Sequence, residues 1–185
     1  LAVVIAYTFN PLHHLIEQLT EKVFHKSSYS TSQLLEEIGE DVRSTLSLKT
    51  ITSQVIKRLE HTIHPSSAAF LLINKDDKTV TTKNYGFDPG PNLTLAEIKY
   101  LANKASKSIL VLEEIESEKT RELMYQNKIH LVIPIRVSHN LHGLLILGEK
   151  ASGEIYNTQD LYILEVIGPQ ISIAIQNSLP YQEIS

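Results

Sequence analysis

Cysteine is missing altogether from this 185-residue chain, which removes disulfides, thiolate nucleophiles, thiol metal sites and chromophores attached through a thioether. Basic residues are not in excess either. The 17 lysines and arginines face 21 aspartates and glutamates, a formal net charge of -4. The chain as a whole therefore has no attraction for nucleic acid phosphates or an anionic membrane surface. No apolar run reaches the roughly 20 residues of a membrane-spanning helix. The opening Leu1-Ala2-Val3-Val4-Ile5-Ala6-Tyr7 is halted by Asn10 and Pro11 and followed by His13, His14 and Glu17. It also lacks the basic start and small-residue cleavage site of a secretion signal. A glycine-rich nucleotide loop is absent, and so is a Gly-Lys phosphate cradle.

What is present suffices for a real core: 42% of residues are hydrophobic and 21% charged, which excludes wholesale disorder and fibrous repeats. From Pro11 onward Leu12, Ile16, Leu19 and Val23 recur at steps of four, three and four, one face of a helix. Ser30 or Thr31 can cap a second helix with Leu35, Ile38, Val42 and Leu46, and Ile51, Val55, Leu59 and Ile63 extend the stripe until Pro65 stops it.

Beyond Pro65 the period changes. Residues 68–73 form a short apolar run, 74–78 a polar turn and 79–85 a threonine-rich strand, which together read as a hairpin. Gly86, Pro89, Gly90 and Pro91 mark a loop; Leu95, Ile98, Leu101 and Ala102 predict a short helix, 108–112 a strand and 117–128 another helix. Strands at 130–137 and 142–149, joined by Ser138-His139-Asn140-Leu141, give the clearest hairpin signal. Thr158 is placed to cap a final helix of about 20 residues, in which Pro169 predicts a kink or a break. Leu164, Ile167, Ile171 and Ala174 form one seam along it, with further apolar residues around the axis. Helices, then strands, then a helix make an α+β domain, an antiparallel sheet covered by helices on at least one face, with an N-terminal helical extension.

The run from Leu141-His142-Gly143-Leu144 through Gly148-Glu149-Lys150, then Ser152-Gly153, Tyr156, Asp160-Leu161 and Ala174-Ile175-Gln176-Asn177-Ser178, resembles the closing half of a GAF domain. The apolar strand 68–73 and the Tyr85-Gly86 pair fit the opening half, so the resemblance covers 48–178. Upstream, Pro11-Leu12, Leu19, Phe24, Tyr29 and Leu34-Leu35 resemble the juxtamembrane segment of bacterial sensor histidine kinases. The resemblance divides the chain into a juxtamembrane helical segment 1–30, a GAF-like domain 31–179 including its flanking helices, and a linker 180–185. It implies a sensory, signal-coupling module of a two-component kinase, a cytoplasmic domain whose parent protein sits in the inner or plasma membrane. The alternative is a small-molecule sensor that regulates a transcription factor or a cyclic-dinucleotide enzyme.

Tested residue by residue, most chemistries of that family fail. Without cysteine neither covalent tetrapyrrole attachment nor redox catalysis is available. Asn74-Lys75 and Asp88 do not match the spacing of a cyclic nucleotide site. His61 and His64 could share a helix face but have no evident third ligand, and read as solvated residues at a helix C-terminus. His130 and His142 read as strand-end residues, and Glu113, Glu114, Glu116 and Glu118 as a solvated loop face. His13-His14 lacks the sequence that follows a phosphoacceptor histidine. The expectation is thus a segment with no catalysis, no metal and no cofactor. Tyr85, Phe87, Leu101, Leu123, Met124, Tyr125 and Ile133 are expected to border a small apolar ligand pocket between sheet and helices. A homodimer is expected, joined through Leu12, Ile16, Leu19 and Val23 and through Leu164, Ile167, Ile171 and Ala174. Neither a nucleic acid partner nor a membrane contact is expected, except through an upstream segment of the parent chain.

Overall fold

Leucine, isoleucine and valine at helical spacing give the first element, α1 (Leu48–Thr62), which buries Leu48, Ile51, Val55, Ile56 and Leu59 along one face. The computed structural model describes residues 48–73, 79–105, 109–137 and 139–178, and for 79–82 the backbone only. The stripes at Leu12, Ile16, Leu19 and Val23 and at Leu35 to Leu46, the turn holding Asn74 and Lys75, and the linker 180–185 lie outside the described residues. Helix α1 ends where the sequence predicts. His64 turns left-handed, its amide bonding back to the Leu59 carbonyl at 3.1 Å, and Pro65 then bridges to Lys150.

Five strands follow, with helices between them: β1 (Ala68–Ile73), β2 (Thr79–Tyr85), α2 (Leu95–Lys104), β3 (Leu110–Val111), α3 (Glu118–Gln126), β4 (Leu131–Val137), β5 (Asn140–Leu147) and α4 (Thr158–Ser178). All neighbouring strands pair antiparallel, in the spatial order β2-β1-β5-β4-β3. The strand expected at 108–112 is shorter than its composition suggests, because the chain turns into a 3-10 helix at Leu112–Glu114. Helix α2 carries a reciprocal cap: the Glu97 amide donates to Thr94 Oγ1 at 3.3 Å, and the Thr94 amide donates to Glu97 Oε2 at 2.7 Å. These hydrogen bonds, from the Thr94 hydroxyl first and then its amide, hold the Glu97 carboxyl below its ordinary value.

Alternation along the strands sorts the core into two layers. Ala69, Leu71, Val132, Leu144 and Ile146 point to the face covered by α2 and α3, where they meet Ile98, Leu101 and Met124. Their neighbours point to the other face, which carries α1 and α4: Gly168 of α4 lies so close to Ile133 that a side chain there would press on it at 3.2 Å, and Glu60 of α1 is near enough to Tyr85 to raise the phenol's pKa. Gly143, central in the sheet with φ +155, is demanded by a close approach, since a Cβ would strike the Leu71 carbonyl. No described helix is long and apolar enough to cross a membrane.

Helix α4 corrects three expectations. It runs unbroken from Thr158 to Ser178 through Pro169, whose ring lies on the exposed side while Ile163, Leu164, Ile167, Ile171 and Ile175 anchor both halves below. Its first turn is capped by Asn157 rather than Thr158, the Asn157 Oδ1 accepting from the amides of Gln159 at 2.9 Å and Asp160 at 3.0 Å. The seam Leu164, Ile167, Ile171 and Ala174, expected at a dimer interface, is buried within the chain itself at 0% to 1% exposure. The reason is that α4 packs on β4 and against α1, and the sheet takes the face richest in branched side chains.

Two polar anchors fix the start of α4. Lys150 Nζ lies 2.8 Å from Asp160 Oδ2, with both side chains 11% exposed. Tyr156 donates its hydroxyl to the Gly148 carbonyl at 2.6 Å. Burial, then the charges of Asp160 and Glu113, push the Tyr156 phenol well above its ordinary value. With a folded pKa above the unfolded one, the hydroxyl's contribution is complete below about pH 10 and is lost as the pH climbs past it. The stability advantage of the natural chain over Tyr156→Phe should accordingly shrink by about 1 kcal/mol between pH 8 and pH 11. Urea melts of both proteins at the two pH values check this; an unchanged difference would show the phenol ionising freely.

Candidate functional site

The face of the sheet beneath α2 and α3 is where the expected pocket residues can be located. Phe87, Leu101 and Met124 are brought together there at 6%, 0% and 0% exposure, with Leu123 packed alongside. They fill the space by touching one another and Ile98, Ala102 and Ile129, as close-packed cores do. The other three are placed elsewhere. Ile133 and Tyr85 project from the opposite face of the sheet, Ile133 under Gly168 and Tyr85 toward Glu60, because each is one residue out of phase with the α2–α3 side. Tyr125 is 74% exposed, pointing away from the face on which Met124 is buried.

Concave space lies instead at the end of this layer, in a cleft of about 380 Å3 where the last turn of α2, strand β3 and the first turn of α3 converge. Val111, Ile115 and Thr120 are its buried floor, Ile109, Leu110 and Ser117 its half-buried wall, and Lys104, Glu114 and Glu116 its exposed rim. Sequence reasoning missed this group, reading the glutamates as a loop face. No signal in the sequence marked it, because the shortness of β3, on which the cleft depends, appears only in the structure.

Tyr100 ties the two helices together beside the cleft. Its hydroxyl is 2.8 Å from Thr120 Oγ1, and the ammonium groups of Lys104 and Lys119 lie 5.7 and 5.3 Å from its ring centre. Hydrogen bonds from Thr120 and Ser117, and then the two lysine charges, lower the phenol's pKa from its ordinary value. Arg121 donates to the Ile115 carbonyl and Arg136 to that of Ala102 at 2.8 Å, fixing the loop and the end of α2. Lys104 has the Tyr100 ring as its neighbour, whereas Glu114 and Glu116 form no ion pair or hydrogen bond among the described residues.

Among the described residues the histidines do not gather. His61 and His64 are exposed at the end of α1, and His130 stands 3.4 Å from Glu113. Among the described residues no group of three or more histidines and acids is placed to hold a metal ion.

Helices α1 and α4 on one face, α2 and α3 on the other, and a 2-1-5-4-3 antiparallel sheet between them define a three-layer α+β module with a cleft beside its short edge strand. The chain belongs to the GAF domain family, whose model matches residues 47–177. In fold it is similar to the GAF domain of an Acinetobacter phosphoenolpyruvate-protein phosphotransferase, at 15% identity and TM-score 0.64 over 82% of this chain and 95% of that one. It is also similar to residues 122 to 287 of a methyl-accepting chemotaxis protein, at 13% identity and TM-score 0.61 over 78% of this chain and 98% of that one. A third likeness is to the phycocyanobilin-bound GAF domain of a cyanobacterial phytochrome, at 15% identity and TM-score 0.61 over 83% of this chain and 98% of that one. No curated protein matches the sequence.

Proposed function

We propose that this GAF domain is a sensory, signal-coupling module of a two-component sensor histidine kinase, acting as a homodimer and leaving catalysis to a neighbouring part of the parent chain. The observation that carries the reading is a second apolar line on α4. With the Leu164 seam committed to the core, Tyr162, Val166, Pro169 and Ile173 recur at steps of four, three and four on the outer side, Tyr162 at 55% and Ile173 at 56% exposure. That spacing is the pattern by which a helix meets a second helix of its own kind. The line also contains no charged residue, so two copies can face each other there without like-charge repulsion. A membrane-attached parent in the inner membrane, reached through the N-terminal stripe, belongs to the same reading.

Sedimentation of the 185-residue chain tests it, with Tyr162→Glu combined with Ile173→Glu as the variant. The natural chain should dimerise at micromolar concentration, and the variant should dissociate at least tenfold more readily while keeping its circular dichroism. A natural chain that stays monomeric at high micromolar concentration, or a variant that dimerises equally well, would remove the support for coupling through α4. The cleft beside β3 favours a second component of the same role, a small-molecule input, since a concave site that combines an apolar surface with polar groups able to orient a ligand is the usual form of such sites.

A further inference from the structure

We infer that the cleft between α2 and α3 takes a small zwitterion with an apolar body, the chemistry of a free aliphatic or aromatic amino acid; this rests on reading the cleft as the module's input site. Size sets the first limit. A volume of about 380 Å3 is near the lower end of the range of about 300 to 1,000 Å3 found for small-molecule sites. The floor and wall set the second: Val111, Ile115, Ile109 and Leu110 offer a surface that an aliphatic or aromatic side chain covers with gain.

Charge sets the third. The rim carries Lys104 on one side of the balance and Glu114 and Glu116 on the other. Neither glutamate is neutralised within the described residues. A simple carboxylate would bring its charge up to two like charges, and a simple amine would meet the Lys104 ammonium and leave it without an opposite partner. A molecule bearing both signs gives each rim group an opposite partner, and the unfavourable pairing selects against either half alone.

Isothermal titration of the 185-residue chain with L-leucine, 4-methylpentanoate and 3-methylbutan-1-amine, and with L-phenylalanine, 3-phenylpropanoate and 2-phenylethylamine, tests the inference. At least one amino acid should bind ten or more times tighter than both of its halves. Lys104→Met should weaken the amino acid at least fivefold, and so should the double variant Glu114→Gln with Glu116→Gln; all three side chains are exposed, so the fold is kept and circular dichroism verifies it. A half that binds as tightly as its parent amino acid overturns the zwitterion while leaving a ligand cleft in place. Amino-acid binding indifferent to both variants overturns the location, and no heat from any of the six compounds overturns the ligand class. The dimer reading is measured separately by sedimentation and stands or falls on its own.

Discussion

Replacing Asp160 with alanine is expected to lower the stability of the domain by about 3 kcal/mol, because it strands a cation inside the protein. The Asp160 carboxylate accepts from Lys150 at 2.8 Å and from the Asn157 amide at 3.0 Å, and the lysine it neutralises is only 11% exposed. Removing the acid leaves that ammonium without its partner and the first turn of α4 without a negative charge where the helix favours one. Lys150→Met should cost less, since the carboxylate it leaves behind retains the Asn157 amide and the helix terminus, and the methionine stem still covers the sheet end. Urea denaturation of the three proteins gives the comparison. Equal losses in both variants would mean that the pair contributes only as a pair and that the helix start adds nothing.

Met124→Ala is expected to be similarly severe, about 2 to 5 kcal/mol, through lost burial and the void left behind. Met124 is 0% exposed in the layer formed with Phe87, Ile98, Leu101, Ile129 and Val132, all of them buried. Its neighbour in sequence provides the control. Tyr125→Ala, at a position 74% exposed, should shift stability by no more than about 0.5 kcal/mol. Thermal or denaturant midpoints of the two variants distinguish a dense layer from a ligand-sized hollow: a mild effect at Met124 would mean that the space beneath α2 and α3 is already loose.

The elements themselves were legible, and for stated reasons. Ile51, Val55, Leu59 and Ile63 followed by Pro65 write out a helix with its stop, and the polar turn after Val137 writes out a hairpin. Sidedness was not legible. Strand β4 reads Leu-Val-Ile-Pro-Ile-Arg-Val, almost continuously apolar, because helices cover both faces of the sheet and alternation no longer marks an inside and an outside. Ile133 was therefore assigned to the α2–α3 face when it belongs to the other. The same ambiguity affected α4, which is apolar nearly all round: two stripes are available on it, and nothing in the spacing says which the sheet will claim. The cleft was illegible for a different reason. Lys104, Glu114 and Thr120 acquire a common surface only after β3 breaks off into a 3-10 turn, and its brevity is decided by pairing with β4 rather than by its own residues.

The placement of helices on opposite sides of the sheet has a mechanical corollary. Both α1 and α4 rest on one side, whereas the cleft opens among helices of the other, and the full thickness of the pleated sheet lies between them. Under the proposed input role, a molecule in the cleft would touch neither α1 nor α4, so any effect on those helices would cross as a tilt or shift of the strands themselves. The polar staples at Tyr156 and Lys150 join the end of β5 to the first turn of α4, and they would transfer such a tilt to the helix as a lever moves with its pivot.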